Sequence, residues 1–176
     1  MSVHFETISL TSHGGTPTYL DVTPQVQAAI AASGVTTGLC TVISPHTTCA
    51  VFFEEFVHDV DETGTELLQL DLNGALERLV PDQTALPPDG EYRYPGPEHF
   101  TAVESWPDAE VYLPGGDRTQ LLNADAHLKA TLLGSSQVFA VAEGRLAVGS
   151  TGYIYFVDFD RTRARQRRCQ LVILGE

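Results

Sequence analysis

Residues 137–174 read QVFAVAEGRLAVGSTGYIYFVDFDRTRARQRRCQLVIL, three β-branched and aromatic runs in succession with no helical period between them. Gln137–Ala142, Arg145–Phe159 and Arg165–Leu174 are predicted as strands, the first two joined across the turn signal Glu143-Gly144. Strands joined so closely pair antiparallel, because parallel neighbours need a crossover of about a dozen residues or more.

Toward the N-terminus the period changes. Arg118–Leu133 places Leu121, Leu128 and Leu132 on a common helical face, with Gly134 as its stop signal. His58–Val80 also fits helical spacing, although Gly64 and Gly74 weaken it, and Pro81 ends it. Residues 81–118 hold seven of the ten prolines and no period, the signature of a long loop that covers something. Farther back, His4–Leu10 and Tyr19–Val22 read as strands. Thr23-Pro24 opens a short helix that ends at Gly34. Val35–Ser44 and Thr47–Phe53 are apolar strand patterns, and Pro45 forces Ser44 to be extended, so His46 sits at the break between them. Strands, then helices, then strands indicate an α+β fold with largely antiparallel mixed sheets and two or three helices. The 176 residues suit one compact domain spanning 1–176.

Composition narrows the function. At 43% hydrophobic and 19% charged the chain is too apolar for disorder, and no run approaches the roughly 20 apolar residues of a membrane span. A net charge of −13 repels polyanions and argues against nucleic acid as a partner. Residues 1–77 contain no Lys or Arg, whereas five of the ten basic residues fall within Arg161–Arg168. Three scattered cysteines without a CxxC spacing, and an N-terminus without a basic-then-apolar leader, point to a cytoplasmic protein.

Several side chains are candidates for chemistry. Asn123 and His127, four apart on the predicted helix, share a face that Lys129 borders. A neutral imidazole there can bind metal or move a proton, or the pair is simply a satisfied boundary site. Ser44-Pro45-His46-Thr47-Thr48 presents an imidazole beside hydroxyls and can hold an oxyanion or a metal, or form a turn without ligand. His99 is a third imidazole, and three histidines can make an open metal site only if they converge. Arg161, Arg163, Arg165 and Arg167 alternate, so on one continuous strand all four share a face, either gripping phosphate or forming a solvated hairpin end paired with Asp158 and Asp160. Among the carboxylates, Glu55 at a strand end and Asp59 in the acidic run are candidates for a divalent ion.

Taken together, Ser44–Ala50, Asn123–Ala130 with Leu133-Gly134, Gly144–Gly149 and Asp160–Arg163 resemble the YjbQ family, formerly an uncharacterised protein family, in the right order over roughly residues 3–175. The resemblance implies an α+β subunit that forms a homotrimer, and secondary thiamine-phosphate synthase activity on a small phosphorylated substrate. The family's histidines fall on His46, His127 and, by a looser alignment, His99, its helix asparagine on Asn123 and its arginine on Arg163. Joined to the residue readings above, this makes His46, His127 and Asn123 the expected catalytic residues, Thr47, Thr48, Lys129 and Arg163 the expected substrate-binding residues, and His46, His99, His127, Glu55 and Asp59 the expected ligands of a divalent metal such as Mg or Zn. Apolar Val148, Ile154, Phe156 and Leu171 on the late strands are expected to supply the trimer interface. The sequence departs from the family at Ser150-Thr151-Gly152, where Thr-Trp-Gln is typical, a change expected to enlarge or dry part of the pocket. The alternative reading is a noncatalytic trimeric protein that binds metal or a small anion.

Overall fold

The computed structural model describes residues 1–176. Eight strands, β1 (Ser2–Ser12), β2 (Thr18–Asp21), β3 (Thr37–Ile43), β4 (Cys49–Glu55), β5 (Ser136–Ala142), β6 (Arg145–Leu146), β7 (Gly152–Asp158) and β8 (Arg165–Gly175), form two sheets. The larger has the order β1-β8-β3-β5-β6 and the smaller β2-β7-β4, with every pairing antiparallel. Five α-helices accompany them: α1 (Thr23–Ser33), α2 (Leu67–Leu79), α3 (Pro97–Glu104), α4 (Ala109–Tyr112) and α5 (Ala124–Leu133).

The alternation of β7 explains the layering. Ile154 and Phe156 point into the core between the sheets, with Val42 of β3, Leu171 and Ile173 of β8, and Val26 and Ile30 of α1. Tyr155 and Val157 point the other way, onto Ala126 and Ala130 of α5 and Leu76 of α2. A strand covered on both faces is apolar throughout, which is why this stretch shows no inward-outward alternation. A third cluster joins Phe100, Val103 and Leu113, from the segment predicted as loop, to Leu121 just beyond it, so 81–123 is a folded lid carrying α3 and α4. Gly38 permits the close approach of β3 to β8, since a Cβ there would collide with the Leu174 carbonyl.

Several expectations need correction. The helix predicted from His58 starts at Leu67, because Asp61 Oδ1 accepts from Thr63 and Thr65 N–H and Gly64 adopts a φ of 85°, folding the acidic run into a turn. The helix predicted from Arg118 is a 3₁₀ turn, Arg118–Leu121, followed by α5. The long strand from Arg145 breaks into β6 and β7 around Gly149 and Gly152. Ile154, Phe156 and Leu171 have no accessible surface and fill the chain's own core, so they form no docking face; Val148, partly buried, packs against the same core. One group of exposed apolar residues lies on the outer face of the larger sheet, at Val3, Phe5, Leu39, Val138 and Leu174. The three cysteines are free and buried, and burial pushes the Cys40 thiol up to about 11, leaving it protonated.

Candidate functional site

The turn between β3 and β4 carries the chain from one sheet to the other, and its residues line a cavity of about 310 Å³. Ser44 Oγ accepts the His46 N–H at 3.2 Å, and the Cys49 N–H donates to the His46 carbonyl at 3.1 Å. The Arg168 backbone N–H donates to His46 Nε2 at 2.9 Å, so the neutral imidazole carries its proton on Nδ1.

Behind the turn, β8 contributes two arginines from the same face. Arg167 Nε donates to Asp158 Oδ2 at 2.7 Å, and its Nη2 reaches Asp158 Oδ1 at 3.2 Å and Thr48 Oγ1 at 3.1 Å. Asp158 has no exposed surface; burial favours its neutral form, but the hydrogen bonds and charge of Arg167 outweigh this and hold the carboxyl below its ordinary range. Arg165 Nη2 lies 2.7 Å from Asp160 Oδ2, and Asn123 Nδ2 donates to the same oxygen at 3.0 Å. A carboxylate only accepts, so Asn123 must turn its NH₂ toward Asp160, which leaves Oδ1 buried without a partner. Arg165 Nε is likewise buried and unpartnered. Each open hydrogen-bonding group costs about 1–3 kcal/mol until something meets it.

The opposite wall belongs to the lid. Tyr94 packs against His99 with 4.9 Å between ring centroids and the rings tilted at 54°, its hydroxyl 3.1 Å from His99 Nε2, and meets His127 edge-on at 5.6 Å. Gln83 fixes this segment to α5, accepting from Ala124 N–H at 2.9 Å and donating to the Tyr94 carbonyl at 2.7 Å. Arg118 sits 4.6 Å from the Phe100 ring, and Arg163 donates to Gln120 Oε1 at 3.2 Å and to the Val111 carbonyl.

Of the expected site residues, His46, Thr47, Thr48, His99, Asn123 and His127 line this one cavity. Four others lie elsewhere. Arg163 is spent on clamping the lid. Lys129 points away, buried, with Nζ 2.6 Å from Asp82 and 3.4 Å from Asp125. Glu55 pairs with Gly152 at the end of β4 opposite Cys49, which at about 3.3 Å per residue is some 20 Å away, and Asp59 follows in the loop beyond it. The expected metal set is therefore not assembled: no three His, Cys, Asp or Glu side chains form a group able to hold a metal ion. Ser150-Thr151-Gly152 lies at that same far end, so this departure leaves the cavity wall untouched. Sequence reasoning passed over Tyr94 and Trp106, and it raised Arg165, Arg167, Asp158 and Asp160 only as a phosphate grip or a solvated hairpin end, not as residues that line this cavity or support its wall. For the arginines and aspartates a signal existed in the Arg alternation facing two Asp, a pairing that is buried here instead of solvated.

Burial lowers the pKa of His127 and, with Arg167 and Arg168 nearby, that of His46, so both favour the neutral form. Unfolded histidine titrates near 6.5. The unfolded chain thus binds more protons below that value, and stability is retained above it and lost as pH falls through the lowered folded values. Urea midpoints measured at pH 7.5 and pH 5 should drop between the two, and His127→Gln should reduce the drop; an unchanged difference would refute the assignment.

A family profile described as UPF0047 protein YjbQ-like matches residues 6–176. A UPF0047 protein of Archaeoglobus fulgidus is 32% identical over 148 residues, 84% of this chain and 85% of the relative. YugU of Bacillus subtilis, also a UPF0047 protein, is 24% identical over 89% of each chain. Among solved structures, a YbjQ-like protein of unknown function from Sulfolobus solfataricus P2 is similar at a TM-score of 0.65 and 24% identity, covering 99% of this chain and 100% of that one. An uncharacterised yjbq/upf0047-family protein of Clostridium acetobutylicum gives 0.63 and 26%, covering 95% and 99%. No helix is long and apolar enough to cross a membrane. The chain belongs to the YjbQ-like UPF0047 family.

Proposed function

We propose that the cavity is the active site of a thiamine-phosphate-synthase-like transferase, joining a pyrimidine methyl diphosphate to a thiazole phosphate. The observation that carries this reading is the convergence of imidazoles, hydroxyls and arginines from four separate segments on one cavity whose Asn123 Oδ1 and Arg165 Nε have no partner within the chain. In this reaction the thiazole ring nitrogen attacks the methylene carbon as its bond to diphosphate oxygen breaks, and the diphosphate leaves with the electron pair. The attacking nitrogen carries no proton, so no base is required. What helps is a set of donors around the departing oxygens. Arg165, the Thr47 hydroxyl and the His46 Nδ1–H serve there, while His127 and Asn123 position the substrates. No step is assigned to a metal.

The test is thiamine phosphate formation by purified protein, in Mg²⁺ and in chelator, beside His127→Ala. Turnover that falls at least tenfold in the variant is expected; absence of turnover in the unaltered protein would reject the enzyme. The second reading, a noncatalytic small-anion binder, is favoured by charge. Asp158 and Asp160 compensate Arg167 and Arg165, leaving little excess positive charge for two phosphorylated substrates. Phosphate binding without turnover would select it.

The outer face of the larger sheet supports a homotrimer in the same proposal. Phe5, opposite Val172, and Val138, opposite Thr41, continue one apolar band that Val3, Leu39 and Leu174 extend. Light scattering at low micromolar concentration should give a trimer mass, and Phe5→Lys should lower it. A monomer mass for the unaltered protein would sink the assembly.

A further inference from the structure

A second hollow, of about 650 Å³, adjoins the first, and the two share Thr47, Tyr94, His99 and His127 as wall. Their chemistry is unlike. The inner cavity adds Asn123, Asp160, Arg165 and Arg167 to the shared residues; the outer one adds Tyr92, Ala124 and Leu128, with Glu91 and Arg93 exposed at its rim. Four of the nine residues around the outer hollow are rings, and its only formal charges are those two rim residues of opposite sign. A planar uncharged group laid on Tyr94 or His99 would gain offset stacking, and Leu128 would cover its other side. Both volumes are in the range of small-molecule sites.

We infer that the outer hollow is a subsite for a planar, uncharged ring, and that the hydrogen-bonded Tyr94 and His99 form the partition across which that ring faces the polar group held in the inner cavity. The site is then bipartite, with hydrogen bonding and charge on one side and stacking on the other. This rests on the reading of the cavity as a transferase site only in the choice of ring, which becomes that of the thiazole acceptor.

The experiment uses the neutral thiazole alcohol, without phosphate, titrated into the full chain and followed by NMR. The ring should shift the Leu128 methyl signals upfield and leave unmoved the indole N–H of Trp106, the single tryptophan, which lines only the inner cavity. Leu128→Glu should weaken binding at least tenfold, and because Leu128 is 46% exposed the variant keeps its fold. Three results would overturn the subsite: no saturable binding, shifts at Trp106 in place of Leu128, or equal affinity in the variant. Binding at Leu128 without any turnover rejects the transferase and leaves the subsite standing. Turnover indifferent to Leu128→Glu does the reverse.

Discussion

Arg167→Ala should destabilise the protein by about 3–5 kcal/mol, the usual cost of removing one partner from a buried ion pair. Arg167 holds Asp158 through two hydrogen bonds and Thr48 through a third, and Asp158 has no surface through which water can replace them. The truncation leaves a carboxylate in the interior beside the turn that carries His46, so the loss is largely desolvation left uncompensated. Against a total stability of about 5–15 kcal/mol this is a large fraction, and urea unfolding at pH 7 measures it. Arg167→Lys keeps the charge but not the two-point geometry, and should lie between the two. Asp158 has a lowered folded pKa, so its contribution is present above the unfolded value near 3.9 and is lost as pH falls through the folded one. The gap between Arg167→Ala and the unaltered protein should therefore narrow in strong acid. A loss below 1 kcal/mol at pH 7 would show that the pair is solvated.

Lys129→Met is expected to cost about 3 kcal/mol, at the lower end of the same range because one cation remains. Lys129 and Asp125 are almost wholly buried, with Asp82 and Arg161 closing the group toward solvent. Removing the ammonium leaves Asp125 with Arg161 alone at 3.2 Å, and one of its oxygens already lacks a partner. Adding Asp125→Asn removes the stranded charge and should recover more than half of the loss, since the effects of touching residues do not add. Urea unfolding of both single variants and the double variant makes the cycle. Additive losses would mean that the two side chains do not interact. This group also ties the segment after α2 to α5, so the variant should loosen the lid, seen as faster proteolysis between 82 and 95.

The sheets were legible because antiparallel strands with short connections leave a strong signature, and Pro45 marked the step between them. Helix starts were not, since an apolar period runs on through Asp61 and Gly64 although the local turn chemistry there prevents helix. The cavity was half legible. Asn123 and His127 announce themselves by spacing, and His46 by its proline turn. Arginine alternation gives a face only where the strand exists, and β8 begins at Arg165. The turn before it, where Asp160 Oδ1 accepts the Thr162 N–H, diverts Arg161 to Asp82 and Asp125, and Arg163 to the lid. Ile154, Phe156 and Leu171 show a further limit: an apolar residue on a strand looks the same whether it fills its own core or meets another subunit.

The placement of β8 between β1 and β3 also sets a clock. β1 has no other neighbour in its sheet, and Ser2 and Gly175, which face each other across that pairing, are 173 positions apart in the chain. Closing so long a loop is entropically costly and makes this the slow, non-local step of folding. Arg165 and Arg167 enter the cavity only with β8, and the bond that fixes the His46 ring comes from Arg168 on the same strand. A chain that has already built its smaller sheet, its helices and its lid would still be blind to ligand, so recovery of binding during refolding should coincide with the last kinetic phase and precede none of the others.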